Sequence, residues 1–299
     1  MTSFQPRWLE RRRRSTPLVM GILNATPDSF SGDGLFGNGG SFQGRGSCVD
    51  RAITRAATLV AEGADLLDVG GESTRPGATP VSDAAELDRV IPIIAALTSR
   101  FDVLISVDTS SPVVMREAAA AGAALINDVR ALRRPGAMAA AAATRLPVCL
   151  VHMQGEPGTM QASPHYDDVV AEVREFLAAR VAACGAAGIS REALLVDPGF
   201  GFGKTLAHNL ALLRALSSIA PPGVPVLAGL SRKRMVGEIT GNPVADRTHG
   251  SVALALLAAR LGAAVVRVHD VAATVDALKV LAAVEPGLRS PEPSAESIQ

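Results

Sequence analysis

Charged and amide side chains stand at the ends of short apolar runs along the whole sequence. The run LLDVGG contains Asp68, VLISVD ends at Asp108, and ALINDV contains Asn127. A charged group inside a β-strand is costly to bury unless it is paired, so one such residue alone would indicate only a packing or rim interaction. Eight runs carry such residues, which predicts a common polar pocket built from Asn24, Asp68, Asp108, Asn127, His152, Asp197, Ser231 and Arg267.

The types of these residues predict the kind of ligand. Asp108, Asn127 and Asp197 supply acceptors and an amide, and a carboxylate can accept two parallel hydrogen bonds from adjacent N–H groups. They therefore suit a flat heterocycle with neighbouring N–H donors. Three residues near the last two apolar runs can carry positive charge, namely Lys233, Arg267 and His269. In α/β barrels, phosphate sites frequently lie after the last two strands. The expected ligand has a polar ring at one end and a phosphate-type anion at the other.

The apolar runs alternate with Ala- and Leu-rich amphipathic segments, a pattern typical of βα units around a parallel sheet. The runs span 18–24, 66–71, 103–108, 124–129, 147–153, 193–199, 225–231 and 264–270. Helices are predicted at 48–62, 83–99, 112–121, 135–144, 167–187, 208–219, 246–261 and 271–284, and four of them end directly before glycine. Eight such units predict an α/β fold, a single (β/α)8 TIM barrel, with an open doubly wound sheet as the alternative.

Three glycine- and proline-rich loops follow the first, second and sixth runs and are expected to cover the active face. The third, DPGFGFGKT, ends like a phosphate-binding loop, but Pro198 stands where that motif requires glycine. Lys204 or Lys233 could form a Schiff base, although neither lies within a strand as in barrel aldolases. His152 could ligate a metal, but no histidine or cysteine cluster accompanies it, so a satisfied pocket or core histidine is favoured.

The overall composition argues against several classes of protein. Of 299 residues, 29 are basic and 29 acidic, and this balance disfavours a dedicated nucleic-acid or membrane-surface protein. The three widely spaced cysteines indicate reduced thiols in a cytoplasmic protein, and no apolar run reaches the roughly 18 residues of a transmembrane helix. One domain is predicted at 17–285, between a basic leader at 1–16 and a tail at 286–299, both expected to be disordered.

Seven motifs in fixed order carry a family resemblance. They read MGILNATPDSFS, GGESTRPGA, ISVDTS, LINDV, DPGFGFGK, LSRK and RVHD. Together they resemble dihydropteroate synthase, the pterin-binding barrel family of folate biosynthesis, from Pro17 to Val284. The resemblance implies a transferase that joins 6-hydroxymethyl-7,8-dihydropterin diphosphate to 4-aminobenzoate, forming 7,8-dihydropteroate and pyrophosphate.

The resemblance also implies roles for individual residues. The pterin pocket corresponds to Asp108, Asn127, Asp197 and Lys233, with Met153 lining the ring. Asn24 corresponds to the ligand of a Mg²⁺ cofactor near the diphosphate, and Arg267 with His269 to the anion site. The aminobenzoate site and its loops correspond to Phe30, Thr74, Arg75, Pro76, Phe202, Ser231 and Lys233. The residues expected to act in catalysis are Asp28, Asp108, Asp197, Lys233 and Arg267.

A homodimer formed through barrel helices and inhibition by sulfonamides are further implications of the resemblance. The sequence departs from the family pattern around Asp33, where GDG replaces DGG, and at Arg234, where a small polar residue is commoner. Two alternative functions remain, a catalytically silent pterin-binding paralogue and a pterin-dependent methyltransferase barrel. The retained loop residues Thr74, Arg75 and Pro76 argue against both alternatives.

The reaction is expected to be dissociative. The amine of aminobenzoate is a weak nucleophile, and no residue of the sequence offers an obvious base to strengthen it. We therefore expect the diphosphate to leave before the amine bonds, while the loops that carry Asp28 and Arg75 exclude water.

Overall fold

Eight parallel strands close into a barrel in sequence order, β1 to β8. The computed structural model describes residues 16–26, 45–73, 81–156 and 158–286. The strands are β1 (Leu18–Asn24), β2 (Leu66–Gly70), β3 (Leu104–Asp108), β4 (Leu125–Asp128), β5 (Val148–Val151), β6 (Leu194–Asp197), β7 (Val226–Ala228) and β8 (Ala263–Val268). The pairing of β1 with both β2 and β8 closes the sheet, so the predicted TIM barrel is confirmed and the open sheet is excluded.

Helices connect the successive strands on the outside of the barrel. They are α1 (Arg45–Ala61), α2 (Asp83–Arg100), α3 (Pro112–Ala120), α4 (Ala137–Thr144), α5 (Val169–Ala186), α6 (Leu206–Arg214), α7 (Leu216–Ile219), α8 (Arg234–Thr240), α9 (Thr248–Arg260) and α10 (Val271–Val284). Among the described residues, no helix is both long and apolar enough to span a membrane.

Two local differences separate the predicted elements from the observed ones. The helix expected at 208–219 is divided at Ala215, which joins α6 to α7. The apolar run at 225–231 forms a strand only as far as Ala228, because the chain then turns into α8, which begins directly after Lys233. Lys233 is thereby placed at the mouth of the barrel.

Glycine ends the four helices for which the sequence predicted it. Gly63 and Gly122 both adopt φ +98°, a left-handed conformation that residues with a Cβ rarely adopt. The Cβ of any other residue at Gly122 would lie 2.6 Å from Cγ2 of Thr98, so close packing also requires glycine at that position.

Two apolar layers hold the barrel together. The larger one packs the outward faces of the strands against the helices, as Val19 of β1 and Ile105 of β3 do. The smaller one fills the barrel interior with Leu18, Met20, Leu66, Leu104, Leu125, Cys149, Leu195, Leu227 and Val265, among others. This inner layer occupies the barrel below the strand C-termini, so the polar positions lie above it at the mouth.

Candidate active site

The inward-facing positions next to the inner apolar layer form a polar layer at the mouth of the barrel. Side chains alternate along a strand, so a residue two positions after an inward apolar residue also points inward. The successive inward pairs are Leu66 and Asp68, Leu104 and Ser106, Leu125 and Asn127, Leu195 and Asp197, and Val265 and Arg267. The structure thus brings together polar residues that are far apart in the sequence.

Arg267 joins two carboxylates at the centre of this layer. Its Nε donates to Oδ2 of Asp68 at 2.6 Å, and its Nη2 donates to Oδ2 of Asp108 at 3.0 Å. Asn127 Nδ2 donates to the same Asp68 oxygen at 3.1 Å. The sequence grouped Arg267 with the anion end of the ligand, and the structure shows that its guanidinium also binds the carboxylates of Asp68 and Asp108.

Several buried polar atoms in this layer are unpartnered within the described residues. They are Oδ1 of Asp68, Oδ1 of Asn127 and Oγ of Ser106. Burial of a polar atom without a hydrogen bond costs free energy, so such atoms point to a ligand or water that completes them. Two of the three can only accept hydrogen bonds, which matches a ligand rich in N–H donors.

Lys233 reaches the same pocket from the start of α8. Its Nζ donates to the carbonyl of Phe200 and lies 4.5 Å from the centre of the Phe202 ring. A Cβ added at Gly229 would lie 3.9 Å from that Nζ and 3.6 Å from Oδ2 of Asp197, so glycine keeps the space between the two charged groups open. Burial lowers the pKa of Lys233 to about 8, although the nearby Asp197 carboxylate opposes the shift.

The carboxyl groups of the pocket are harder to ionise than ordinary ones. Burial raises the pKa of Asp108, the charge of Asp68 raises it further, and Arg267 opposes both effects. Burial likewise raises the pKa of Asp197, against the charge of Lys233. A cationic or N–H-rich ligand would favour the ionised carboxylates, because opposite charge and donated hydrogen bonds lower a carboxyl pKa.

Known proteins resemble the chain over most of its length. A profile described as pterin binding enzyme matches residues 20–269. Dihydropteroate synthase of Escherichia coli strain K12 is 52% identical over 269 residues, which are 90% of this chain and 92% of that protein.

The chain belongs to the dihydropteroate synthase family.

Solved structures of the family agree with this assignment. The Yersinia pestis dihydropteroate synthase in a sulfonamide drug complex is 51% identical, with a TM-score of 0.84 over 91% of this chain and 96% of that one. The Xanthomonas albilineans enzyme with 4-aminobenzoic acid is 55% identical, with a TM-score of 0.82 over 90% of this chain and 93% of that one. The family, the transferase class and the dihydropteroate synthase function expected from the motifs are confirmed, and they displace the methyltransferase and silent-paralogue alternatives.

Ser231 and His269, two of the predicted binding residues, are in direct contact. Oγ of Ser231 accepts the backbone N–H of His269 at 3.2 Å and lies 3.0 Å from its Nδ1. The residues that follow Ser231 and His269 are also paired. Arg232 donates to both carboxylate oxygens of Asp270, from Nε at 3.0 Å and from Nη2 at 2.5 Å. The Arg232 guanidinium is therefore held in an ion pair with Asp270, and the next residue, Lys233, reaches the pocket.

The remaining predicted site residues lie partly at the mouth of the barrel and partly outside the described residues. Asn24 is half-buried at the end of β1, and Met153 is buried in the inner cluster, against which Phe202 packs. Five predicted residues lie outside the described residues: Asp28, Phe30, Thr74, Arg75 and Pro76. The same applies to the departure around Asp33, and to the predicted leader and tail except for Thr16 and Pro286.

Lys204 and His152 bind each other. From the sequence alone, Lys204 could belong to a phosphate or Schiff-base site, and His152 could be a metal ligand. Nζ of Lys204 lies 2.9 Å from Nδ1 of His152, and both side chains are buried. Burial, together with the charge of Lys204, lowers the pKa of His152 to about 2, so the ring is neutral. The interpretation of His152 as a satisfied buried histidine agrees with these contacts.

Two other contributions were missed in selecting site residues from the sequence. The sequence predicts Asp68 in the polar pocket but assigns it no role, although its place two residues after an inward leucine marks it as facing the barrel interior. Arg130 joins two loops at the rim through Glu72 and Glu156, each at 3.1 Å. No local pattern identified these partners, because they lie 58 and 26 residues away in the sequence.

Proposed function

We propose that the mouth of this barrel joins 6-hydroxymethyl-7,8-dihydropterin diphosphate to 4-aminobenzoate, forming 7,8-dihydropteroate and pyrophosphate. Membership of the dihydropteroate synthase family supports the reaction. The single structural observation that carries the placement is the layer of inward acceptors, with buried unpartnered oxygens on Asp68 and Asn127. Lys233 lies beside this layer and Phe202, where the two substrates would meet.

The ring end of the ligand would lie among Asp108, Asn127 and Asp197. The carboxylates would accept hydrogen bonds from the N–H groups of the pterin. The amide oxygen of Asn127, which has no partner among the described residues, would accept one more. The diphosphate would extend toward Ser231 and His269. Arg267 lies in β8, and His269 directly follows Val268, the last residue of that strand, so both residues lie at the same end of the barrel.

We propose that Asn24 holds the Mg²⁺ cofactor, which when bound supplies neutralisation of charge on the leaving diphosphate. The amide oxygen of Asn24 is a hard donor at the end of β1, and magnesium is usually held by one or two protein oxygens together with substrate phosphates and waters. Within the described ranges, no group of three His, Cys, Asp or Glu side chains could hold a metal ion.

The residues of the pocket favour a dissociative substitution. When the C–O bond to the diphosphate breaks, the positive charge left on the pterin methylene and ring faces Asp108 and Asp197, whose carboxylates stabilise it. His152 does not serve as a base for the amine, because its ring is buried against Lys204. The amine of aminobenzoate then bonds to the methylene carbon and releases its proton to solvent or the departing pyrophosphate, while Asp28 and Arg75 would help to exclude water.

Pyrophosphate release with and without aminobenzoate tests the reaction and its mechanism. With both substrates and magnesium, the protein should form 7,8-dihydropteroate, and sulfonamides should compete with aminobenzoate. Without aminobenzoate, slow enzyme-dependent pyrophosphate release should persist and be lost in Asn24→Ala. No dihydropteroate under any condition would refute the function. A rate that rises steeply with the nucleophilicity of substituted anilines, with no release in their absence, would refute only the dissociative route.

We also propose that two copies pair through an apolar groove on the outside of the barrel. It lies between α6, α8 and α9 and is lined mainly by Leu210, Leu213, Val236, Ile239, Leu254, Leu257 and Leu261. Ile239 and Leu257 are 51% and 46% exposed, and a second copy would remove this apolar surface from water. The homodimer implied by the family resemblance is the occupant that this groove favours.

Light scattering tests the homodimer. Ile239→Glu should shift the protein to monomers, because a carboxylate in an apolar interface is costly to desolvate. Val284→Glu is the matched control, since Val284 is 72% exposed on α10 and does not line the groove. A monomeric wild-type protein, or dimers in both variants, would contradict the proposal.

We propose a cytoplasmic location for the enzyme. The three cysteines, Cys48, Cys149 and Cys184, are buried free thiols, as is usual in a reducing compartment. Fractionation of the source cells with an antibody to the protein checks this location.

A further inference from the structure

Lys204 is a buried lysine that no part of the proposed reaction uses. Its Nζ has three close partners: Nδ1 of His152 at 2.9 Å, the carbonyl of Gly199 at 2.9 Å and the carbonyl of Phe202 at 3.0 Å. An ammonium group has three donors, so these partners satisfy it completely.

The same contacts survive loss of the Lys204 proton. Burial lowers the pKa of Lys204 well below its ordinary value, although Asp197 opposes the shift. A neutral amine keeps two donors for the two carbonyls, and its lone pair can accept a hydrogen bond from a proton-bearing Nδ1 of His152. The connection between the loop and β5 is thus independent of the protonation state.

The loop between β6 and α6 divides its carbonyl groups between two lysines. Those of Gly199 and Phe202 face Lys204, whereas that of Phe200, which lies between them, accepts from Lys233. Phe202 also places its ring 4.5 Å from Nζ of Lys233. The backbone that Lys204 holds is therefore the backbone that positions Lys233.

The loop between β6 and α6 packs closely against the segment after β5, and this packing fixes the positions of its carbonyl groups. Gly199 and Gly203 adopt φ +69° and +63°. A Cβ at Gly199 would lie 1.8 Å from the carbonyl oxygen of His152, and one at Gly203 would lie 2.6 Å from that of Gln154. The hydroxyl of Tyr166 adds a 3.0 Å hydrogen bond to the carbonyl of Gly203. The loop thus has little freedom to find another position for the Phe200 carbonyl.

We propose that Lys204 is a positioning residue for the reaction: through His152 and the carbonyls of Gly199 and Phe202 it fixes the loop that holds the Lys233 ammonium against the substrates. This role rests on the proposed function, in which Lys233 contacts both the pterin and the aminobenzoate. Lys204 itself does not touch either substrate.

A double-mutant cycle separates this role from a general effect on folding. Lys204→Met keeps the length of the side chain but removes its donors. It should lower kcat/KM for aminobenzoate by about tenfold to a hundredfold, the effect of losing one charge-assisted hydrogen bond from a displaced Lys233 to the substrates. In a Lys233→Met background, Lys204→Met should change kcat/KM by less than about threefold. A residue that acts only by positioning the Lys233 ammonium has no effect once that ammonium is absent. Lys279→Met, on the exposed face of α10, is the matched control for loss of a lysine.

A second pair of variants keeps the proposal testable if Lys204→Met does not fold. His152→Asn retains an acceptor near Nζ of Lys204 and should stay near wild-type activity. His152→Leu removes the acceptor and should show the same loss as Lys204→Met, again only when Lys233 is present. Equal losses in both Lys233 backgrounds, or no loss in the single variants, would overturn the positioning role.

Lysine labelled at Cε with carbon-13 gives a readout that does not depend on turnover, because the three lysines give three signals that single substitutions assign. In His152→Leu, the Lys233 signal and its titration midpoint should move, while the Lys279 signal stays in place. An unmoved Lys233 signal would refute the inference. A wild-type protein that forms no dihydropteroate but shows the expected shift would refute the proposed function alone.

Discussion

Asp68→Asn is the change that tests the ionic centre of the pocket most directly. Asp68 is fully buried, and one of its oxygens accepts from both Arg267, at 2.6 Å, and Asn127, at 3.1 Å. Asparagine preserves the volume of the side chain, removes its charge and keeps one acceptor oxygen for Arg267 and Asn127, with an NH2 group in place of the other oxygen. We expect two linked effects, a less stable protein and an Asp108 that ionises more easily.

The contacts of Arg267 limit the size of the loss in stability. Removing one partner of a buried ion pair costs about 3–5 kcal/mol when the other charge is left uncompensated. Arg267 keeps a second carboxylate, Asp108, at 3.0 Å, so that value is too large. The loss of one charge-assisted hydrogen bond, about 1.5–3 kcal/mol, is the better expectation for the free energy of unfolding.

The effect on Asp108 has the opposite sign. The charge of Asp68 contributes to the raised pKa of Asp108, so its removal should lower that pKa. Ionised Asp108 accepts hydrogen bonds from the pterin ring, and pterin affinity should rise with pH as the group loses its proton. In Asp68→Asn this rise should occur at lower pH than in the wild-type protein.

Urea unfolding at neutral pH and calorimetric titration of a pterin across a range of pH measure the two effects. Asp65→Asn is the matched control, because Asp65 is a buried carboxylate at the opposite end of β2 that accepts the Val19 N–H at 3.0 Å. It should lower stability without altering the pH dependence of pterin binding. An Asp68→Asn protein of unchanged stability, or one whose affinity rises at the same or higher pH, would refute the reasoning.

Three further changes have clear expected outcomes. The ammonium of Lys233, with its pKa lowered to about 8 by burial, loses its charge as pH rises through that value, so kcat/KM should fall there and Lys233→Arg should move the fall upward. Burial raises the pKa of Glu86 from its ordinary value of 4.5 to about 7, so the free energy of unfolding falls as the pH rises from 4.5 to about 7. Glu86→Gln should therefore raise the Tm above pH 7 and have little effect on it below pH 4.5. Gly199→Ala should displace the loop and abolish aminobenzoate binding in calorimetry, whereas Gly223→Ala, at φ +76° with nothing within 4 Å of the added Cβ, should leave binding intact.

The barrel could be predicted because its signals are local and repeated. Each strand is a short apolar run, each helix is rich in Ala and Leu, and glycine ends four of the helices. The limits of the strands were less accurate, since apolar residues continue beyond the point where the ladder ends. At β7 the run continues to Ser231, although pairing stops at Ala228 and the following residues turn into α8.

The residue types of the site could be predicted, but their partners could not. Asp108, Asn127 and Asp197 follow from their places at strand ends. The pairing of Arg267 with Asp68 and Asp108 depends on which strands face each other across the closed barrel, and the sequence alone grouped Arg267 with the anion site. The contact of Lys204 with His152 likewise joins two motifs that are 52 residues apart.

The position of Arg267 also has a consequence for how the chain folds. Its two carboxylate partners precede it by 199 and 159 residues, so these contacts have very high sequence separation and form only after the last βα unit has joined the first units. Chains dominated by such distant contacts fold slowly, because loop-closure entropy is lost before the contacts form. During synthesis, the first seven βα units hold Asp68 without its Arg267 counter-ion. The central ion pairs of the pocket, and with them competence for catalysis, therefore arise only when the last strand closes the barrel.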